Sequence, residues 1–199
     1  MGARRRLPES FYLRDAATVA RDLIGRWLRR DSVILEITEV EAYLPDDSAC
    51  HGRFGRTARN AAMWGPGGRA YVYLCYGLHD MLNVVTGPEG EAAAVLIRSA
   101  RPVARVGGGA GAARWEDRPV LLTGPGKVGA ALALDPSWSH HALFERGGLE
   151  LLSGEPAERW LHGPRVGIDY AAPVDRDALL RFAAVDTPWV SHRKTLRSG

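Results

Sequence analysis

Two segments carry side chains whose types and spacing can support chemistry. In Leu35-Glu36-Ile37-Thr38-Glu39-Val40-Glu41-Ala42-Tyr43, the alternation of a strand puts Glu39, Glu41 and Tyr43 on one face. A carboxylate beside a phenol, at a strand end that enters a polar loop, forms a general acid–base corner. The competing reading is a solvent-facing strand with ordinary acids. In Tyr71-Val72-Tyr73-Leu74-Cys75-Tyr76-Gly77, Tyr71 and Tyr73 share a face, while Tyr76 points the other way and sits at a turn. A large aromatic at a tip is costly to leave exposed. Inserted into a base stack, it replaces an extruded nucleotide, as apolar wedges do in kinked DNA. The alternative is that all three tyrosines are amphipathic core or rim residues.

Other segments carry weaker signals. Gly124-Pro125-Gly126-Lys127 opens a helix whose N-terminal amides, together with Lys127, offer a phosphate seat; plain helix capping accounts for the same residues. No Ser or Thr follows Lys127, which excludes a P-loop. Asp135 follows too soon for a helix-hairpin-helix arrangement. Arg53, Arg56 and Arg59 lie in the loop after the acidic strand, positioned either for phosphate contact or for solvent. His140, His141 and His162 show no partner pattern and read as surface histidines. Cys50 and Cys75 form no CxxC pair, so they read as free, partly buried thiols without a zinc site.

The elements that must position these groups follow from periodicity. Residues 15–30 read as a helix capped by Asp15, with Gly25 late in it, and 32–43 read as a strand. Residues 44–69 read as loop with a short helix near 57–63. Strands are expected at 70–75 and 82–86, joined as a hairpin through Tyr76-Gly77-Leu78-His79-Asp80, and at 92–99. The glycine-rich stretch at 107–111 reads as a surface connection. A helix from the Gly124 region to Leu134 and late strands at 148–153 and 180–185 complete the set. Strands outnumber helices and mostly neighbour one another. The expected fold is therefore α+β: one compact domain over 1–199, with a curved, mostly antiparallel sheet flanked by helices and a protruding β-hairpin. The ends, 1–7 and 194–199, are expected to fray.

The chain has 199 residues, 46% apolar and 25% charged, enough for one sizeable core. No stretch approaches the roughly 18 apolar residues of a membrane span, and the basic start lacks a signal-peptide core. A cytoplasmic protein without a membrane partner is expected. Only Lys127 and Lys194 are lysines, so 24 of the 26 basic residues are arginine. That bias suits phosphate recognition, although a skewed nucleotide composition in an Ala- and Gly-rich chain produces it too.

Taken in order, Val40-Glu41-Ala42-Tyr43, His51, Arg56-Thr57-Ala58-Arg59-Asn60 and Met63 resemble the 3-methyladenine (alkyladenine) DNA glycosylase family. The resemblance continues through Tyr71–Gly77, Met81-Leu82-Asn83-Val84, Leu96-Ile97-Arg98, Gly124–Lys127 and Thr187-Pro188-Trp189-Val190-Ser191, and spans roughly residues 8–193. It implies a monomeric, cofactor-free and metal-free enzyme whose partner is double-stranded DNA containing damaged purines, associated with the nucleoid when bound. Glu41 would be the general base that activates water, with Arg98 holding the backbone and helping to position that water. Tyr43 and His51 would stack on one face of a flipped base and Tyr73 on the other. Asn83 would crowd an exocyclic amino group. Tyr76 would fill the gap in the duplex, and Arg56, Arg59 and Lys127 would hold the DNA backbone. No lysine stands in the catalytic neighbourhood, which argues against a lyase step. Two departures bear on substrate range: the Tyr43–His51 loop is one residue shorter than in some members, and His79-Asp80 follows Tyr76. The rival readings are an idle lesion-binding protein on the same scaffold and a hydrolase of free nucleosides.

Overall fold

The strand that carries the acids lies inside the sheet. The computed structural model describes residues 4–103 and 118–198, so the glycine stretch at 107–111 lies outside the described residues. Nine strands form one sheet: β1 (Trp27–Arg30), β2 (Val33–Tyr43), β3 (Ala70–Cys75), β4 (His79–Val85), β5 (Ala94–Pro102), β6 (Leu149–Leu152), β7 (Trp160–Gly163), β8 (Arg181–Ala184) and β9 (Arg197–Ser198). Every strand pair is antiparallel. β5 runs along one edge of β2. The other edge is shared, with β1 pairing residues 33–36 and β8 pairing 39–41. β2 is therefore paired on both sides through the stretch that holds Glu39 and Glu41.

Among the described residues three short α-helices accompany the sheet: α1 (Ala16–Leu23), α2 (Pro125–Ala131) and α3 (Pro173–Arg176). Asp15 caps α1, its carboxylate accepting from the Thr18 N–H at 2.9 Å, and Ala16, Val19, Ala20 and Leu23 form its buried face. The helix stops at Leu23 rather than running to 30. Gly25 adopts φ +85°, and a Cβ there would sit 2.0 Å from the Glu155 carbonyl oxygen. The chain turns, and Trp27–Arg30 pairs with β2 and β6 instead of continuing the helix. Tertiary pairing here overrides helical periodicity. One large cluster of buried apolar residues links α1, α2 and the sheet, giving a single α+β domain. None of the helices among the described residues is long and apolar enough to cross a membrane.

The decisive local feature is a pair of compensating β-bulges. Ile37 opposes Ala100, Glu39 opposes Ser99, and Val40 opposes Ile97. Thr38 is thus the extra residue on β2 and Arg98 the extra residue on β5. Strict alternation would put Leu35 and Ile37 on the same face as Glu41. With the bulge, Leu35, Ile37, Val40 and Ala42 all enter the main core, while Glu39, Glu41 and Tyr43 turn to the other side. The bulge on β5 aims Arg98 at those acids.

β3 and β4 pair from Ala70–Val84 to Cys75–His79 and are joined by Tyr76, Gly77 and Leu78. Tyr76 (φ +51°) and Gly77 (φ +68°) are consecutive left-handed residues, and the Leu78 N–H donates to the Cys75 carbonyl at 3.0 Å. The remaining differences from expectation are local. β4 starts three residues early, β7 and β9 went unread, and the helix near 57–63 is a 3₁₀ turn at Ala61–Trp64.

Candidate active site

Glu41 has no exposed side-chain surface, which removes the reading of a solvent-facing acidic strand. Its Oε1 accepts from the Val166 N–H at 2.7 Å and lies 3.2 Å from Arg98 Nη1. Its Oε2 accepts from the Tyr43 hydroxyl at 2.9 Å. All three partners line one cleft of about 360 Å³, whose walls include His51, Tyr73 and Asn83. Oε1 accepts one hydrogen bond and is ion-paired. Oε2 holds one, which leaves it a further lone-pair direction. Burial, reinforced by the Glu41 charge, holds the Tyr43 phenol well above its ordinary range, so it remains a donor to Glu41. For Arg98 burial opposes the charge, but Glu41 and Glu39 outweigh it and keep the guanidinium firmly protonated.

Glu39 is equally buried but plays a different part. Its oxygens take Arg181 at 3.1 Å, the Ser191 hydroxyl at 2.9 Å, the Ser191 N–H at 2.7 Å and the Ser99 hydroxyl at 2.5 Å, with Arg98 Nε at 3.4 Å. It ties β2, β5, β8 and the C-terminal segment together; neither acid itself lines the cleft, but all three partners of Glu41 do, and of the partners of Glu39 only Arg98 does.

The aromatic walls divide differently from expectation. The family resemblance puts Tyr43 and His51 together, opposite Tyr73. Instead the His51 and Tyr73 ring centroids are 4.5 Å apart at an interplanar angle of 69°, too close and too steep to hold a base between them. Tyr71 stacks behind Tyr73 at 5.5 Å. His51 and Tyr73 form one wall. Tyr43 makes no ring contact with either among the described residues, and stands as the separate wall. His51 is fixed by a 3.0 Å contact from Nδ1 to the Tyr71 hydroxyl and by Asn60, whose amide donates to the His51 carbonyl at 2.9 Å. Burial pushes the Tyr71 phenol up to about 12.

Burial first, then the Arg59 and Arg53 charges, hold the His51 imidazole below the ordinary histidine value of about 6.5. Between the two values the unfolded chain binds more protons than the native one. Stability is therefore expected to fall as pH drops below about 6.5, and to level off beneath the native value. Chemical denaturation of wild type and His51→Gln across this window checks it: the variant should lose less stability, and parallel curves would remove His51 from the account.

Asn83 donates through its amide to the Tyr71 carbonyl at 3.1 Å, which fixes which end of the side chain is nitrogen. Arg56 and Arg59 are exposed; Arg59 reaches the Leu74 carbonyl at 2.9 Å and borders the cleft. Lys127 lies elsewhere, its Nζ on the Val120 carbonyl at 2.7 Å. Packing explains the glycines beside it. A Cβ at Gly126 would strike His79 at 2.7 Å, and one at Gly129 would strike the Asp80 carbonyl at 1.9 Å. Tyr76 is 90% exposed at its turn and lies at the cleft edge.

The match to known proteins is of the same extent as the site. The family model described as methylpurine-DNA glycosylase (MPG) matches residues 10–188. The chain belongs to that family. A Nitrosococcus oceani protein named as a 3-methyladenine DNA glycosylase is 58% identical over 192 residues, covering 96% of both chains. The Arabidopsis thaliana DNA-3-methyladenine glycosylase is 58% identical over 196 residues, covering 94% of this chain and 75% of the plant protein.

In this glycosylase chain the residue that sequence reading missed is Arg165. It is wholly buried, paired with Asp47, and donates to the Ala42 carbonyl at 2.9 Å and the Asp175 carbonyl at 3.0 Å. Its guanidinium lies 4.7 Å from the Tyr43 ring centroid. Arg165 does not line the cleft, so it backs the Tyr43 wall and anchors the loop whose next residue binds Glu41. A lone arginine in an irregular segment carries no periodic signal. Arg165→Met should destabilise the fold by about 3 kcal/mol, because Asp47 stays buried with no cation beside it and only the Ala49 N–H as donor. Adding Asp47→Asn should recover part of that loss; strict additivity in denaturant titrations would contradict the pairing.

Proposed function

We propose that this chain is a monofunctional DNA glycosylase acting on alkylated or deaminated purines of the 3-methyladenine, 7-methylguanine, hypoxanthine and ethenoadenine class. The observation that carries this reading is the placement of a fully buried carboxylate, Glu41, against three donors that all line one aromatic cleft. A purine turned out of the duplex enters between Tyr43 on one side and the His51–Tyr73 wall on the other. Glu41 Oε2 accepts a proton from a water aimed at the anomeric carbon. The carboxylate also stabilises the oxocarbenium-like state as the C–N bond breaks with its electron pair going to the base, which departs from the opposite face: an alkylated cation leaves as a neutral purine, and a neutral lesion leaves with a proton taken from solvent. Arg98 holds Glu41 in place.

Tyr76 fills the space left in the duplex. Its φ of +51° supports this role, since a non-glycine residue there costs about 1–3 kcal/mol and is kept where the surroundings demand it. Asn83 disfavours an exocyclic amine on the bound purine. Arg56 and Arg59 hold phosphates; Lys127 must release the Val120 carbonyl to join them. The chain's two lysines lie outside the cleft lining, which supports hydrolysis without a Schiff base.

The test is incubation with methylated duplex DNA and separate identification of released bases and of strand breaks. The expected result is free methylated purine with strands that break only after alkali. Release from nucleosides but not from duplex would sink the reading in favour of a nucleoside hydrolase.

A further inference from the structure

Three aromatic side chains are strongly exposed among the described residues: Phe54, Tyr76 and Tyr170. Exposed apolar residues are ordinary when scattered. These are not scattered. Tyr76 and Tyr170 line the cleft, and Phe54 joins them through Arg53. The Arg53 guanidinium lies 4.5 Å from the Phe54 ring centroid and 4.9 Å from that of Tyr170, bridging the two rings. The middle and inner members of this ladder are tied down. Arg53 Nη1 donates to the Cys50 carbonyl at 3.2 Å, and the Tyr170 hydroxyl donates to the Ala49 carbonyl at 3.1 Å. Phe54 itself remains 86% exposed, at the outer end of a ladder that starts on the cleft rim.

The loop that carries it is chemically one-sided. From His51 to Asn60 it contains Arg53, Arg56 and Arg59 and no acidic residue. Arg59 returns the loop to the end of β3 through the Leu74 carbonyl, two residues from Tyr76. Guanidinium groups beside an uncovered aromatic face match a phosphate backbone beside a base or sugar.

We propose that Phe54, backed by Arg53 and Tyr170, is a second DNA contact, separate from Tyr76, that packs against a nucleotide flanking the extruded one. This rests on the reading above that the cleft takes its base from duplex DNA. Phe54 does not line the cleft and is 86% exposed while Glu41 is fully buried, so its contribution falls on binding and not on base release.

The test uses the full chain, a Phe54→Ala variant, and Phe54→Trp as the conservative replacement. The probe is a duplex with an abasic-site analogue, carrying 2-aminopurine at each neighbouring position in turn. Phe54→Ala should weaken binding about tenfold and lose the fluorescence change at one flanking position, while Phe54→Trp stays near wild type. The first-order rate of base release at saturating enzyme should stay within about twofold of wild type. Because Phe54 is exposed, the melting temperature should not move. Unchanged affinity and fluorescence at every position would overturn the proposal, as would a slower saturated rate with affinity intact. Binding to the analogue needs no catalysis. Weakened binding by Phe54→Ala with a wild type that releases no base would therefore uphold this contact and discard the catalytic reading. Failure of wild type to bind duplex at all would discard both.

Discussion

Glu41→Gln is expected to lower the single-turnover rate of base release by about 10³-fold while leaving lesion binding near wild type. A positioned general base contributes about 10²–10⁴-fold, and Glu41 also supplies the negative charge facing the oxocarbenium-like state. The amide keeps the shape of the carboxylate. Its oxygen still accepts from the Val166 N–H, and the walls formed by Tyr43, His51 and Tyr73 stay in place. What disappears is the proton acceptor and the charge. The substitution also leaves Arg98 and Arg181 facing Glu39 alone, so stability should drop modestly. The assay therefore belongs well below the melting temperature of the variant. Single-turnover kinetics at saturating enzyme and binding to an uncleavable lesion analogue separate the two effects.

Glu39→Gln should do the opposite. Two residues away on the same face, Glu39 reaches the cleft lining only through Arg98 and compensates Arg181, which has no exposed side-chain surface. Removing its charge leaves a buried guanidinium whose remaining acceptors are neutral: the Pro164 and Ser191 carbonyls and the Thr195 hydroxyl. Breaking a buried pair in this way costs about 3–5 kcal/mol. Urea titration should register that loss, and the base-release rate of the remaining folded protein should change by much less than in Glu41→Gln. If Glu39→Gln kept full stability and lost excision, the division of labour between the two acids would be reversed.

The contrast between the two acids shows how far sequence reading reaches. Alternation along β2 puts Glu39, Glu41 and Tyr43 on one face, and they do share it. The same alternation would have carried Leu35 and Ile37 there as well. Only the bulges at Thr38 and Arg98, which arise from pairing with a strand some 60 residues away, send those two to the core. Bulges of this kind leave no mark in periodicity. Trp27–Arg30 fails for a related reason: its spacing continues the helical pattern, but Gly25 breaks the helix and β2 supplies the pairing. The cleft residues were legible mainly because an ordered set of motifs resembles a known family. Arg165, its partner Asp47 and the Val166 N–H were not, since their roles exist only after the loop that follows β7 folds over the end of β2. The packing of His51 against Tyr73 was not legible, because ring packing is set by rotamers and neighbours. His51 is held against Tyr73 through Tyr71 and Asn60, and no strand parity encodes that.

The measurement to make is single-turnover base release from duplexes carrying ethenoadenine or hypoxanthine, and from methylated duplex, with wild type and Glu41→Gln side by side. Binding to each duplex is recorded in the same preparations. Release by wild type, loss of about 10³-fold in the variant, and equal binding by both are expected. Tight binding with no release by wild type from any of these duplexes would contradict the enzyme assignment and leave a damage-binding protein. Near-normal turnover by Glu41→Gln would remove Glu41 as the base.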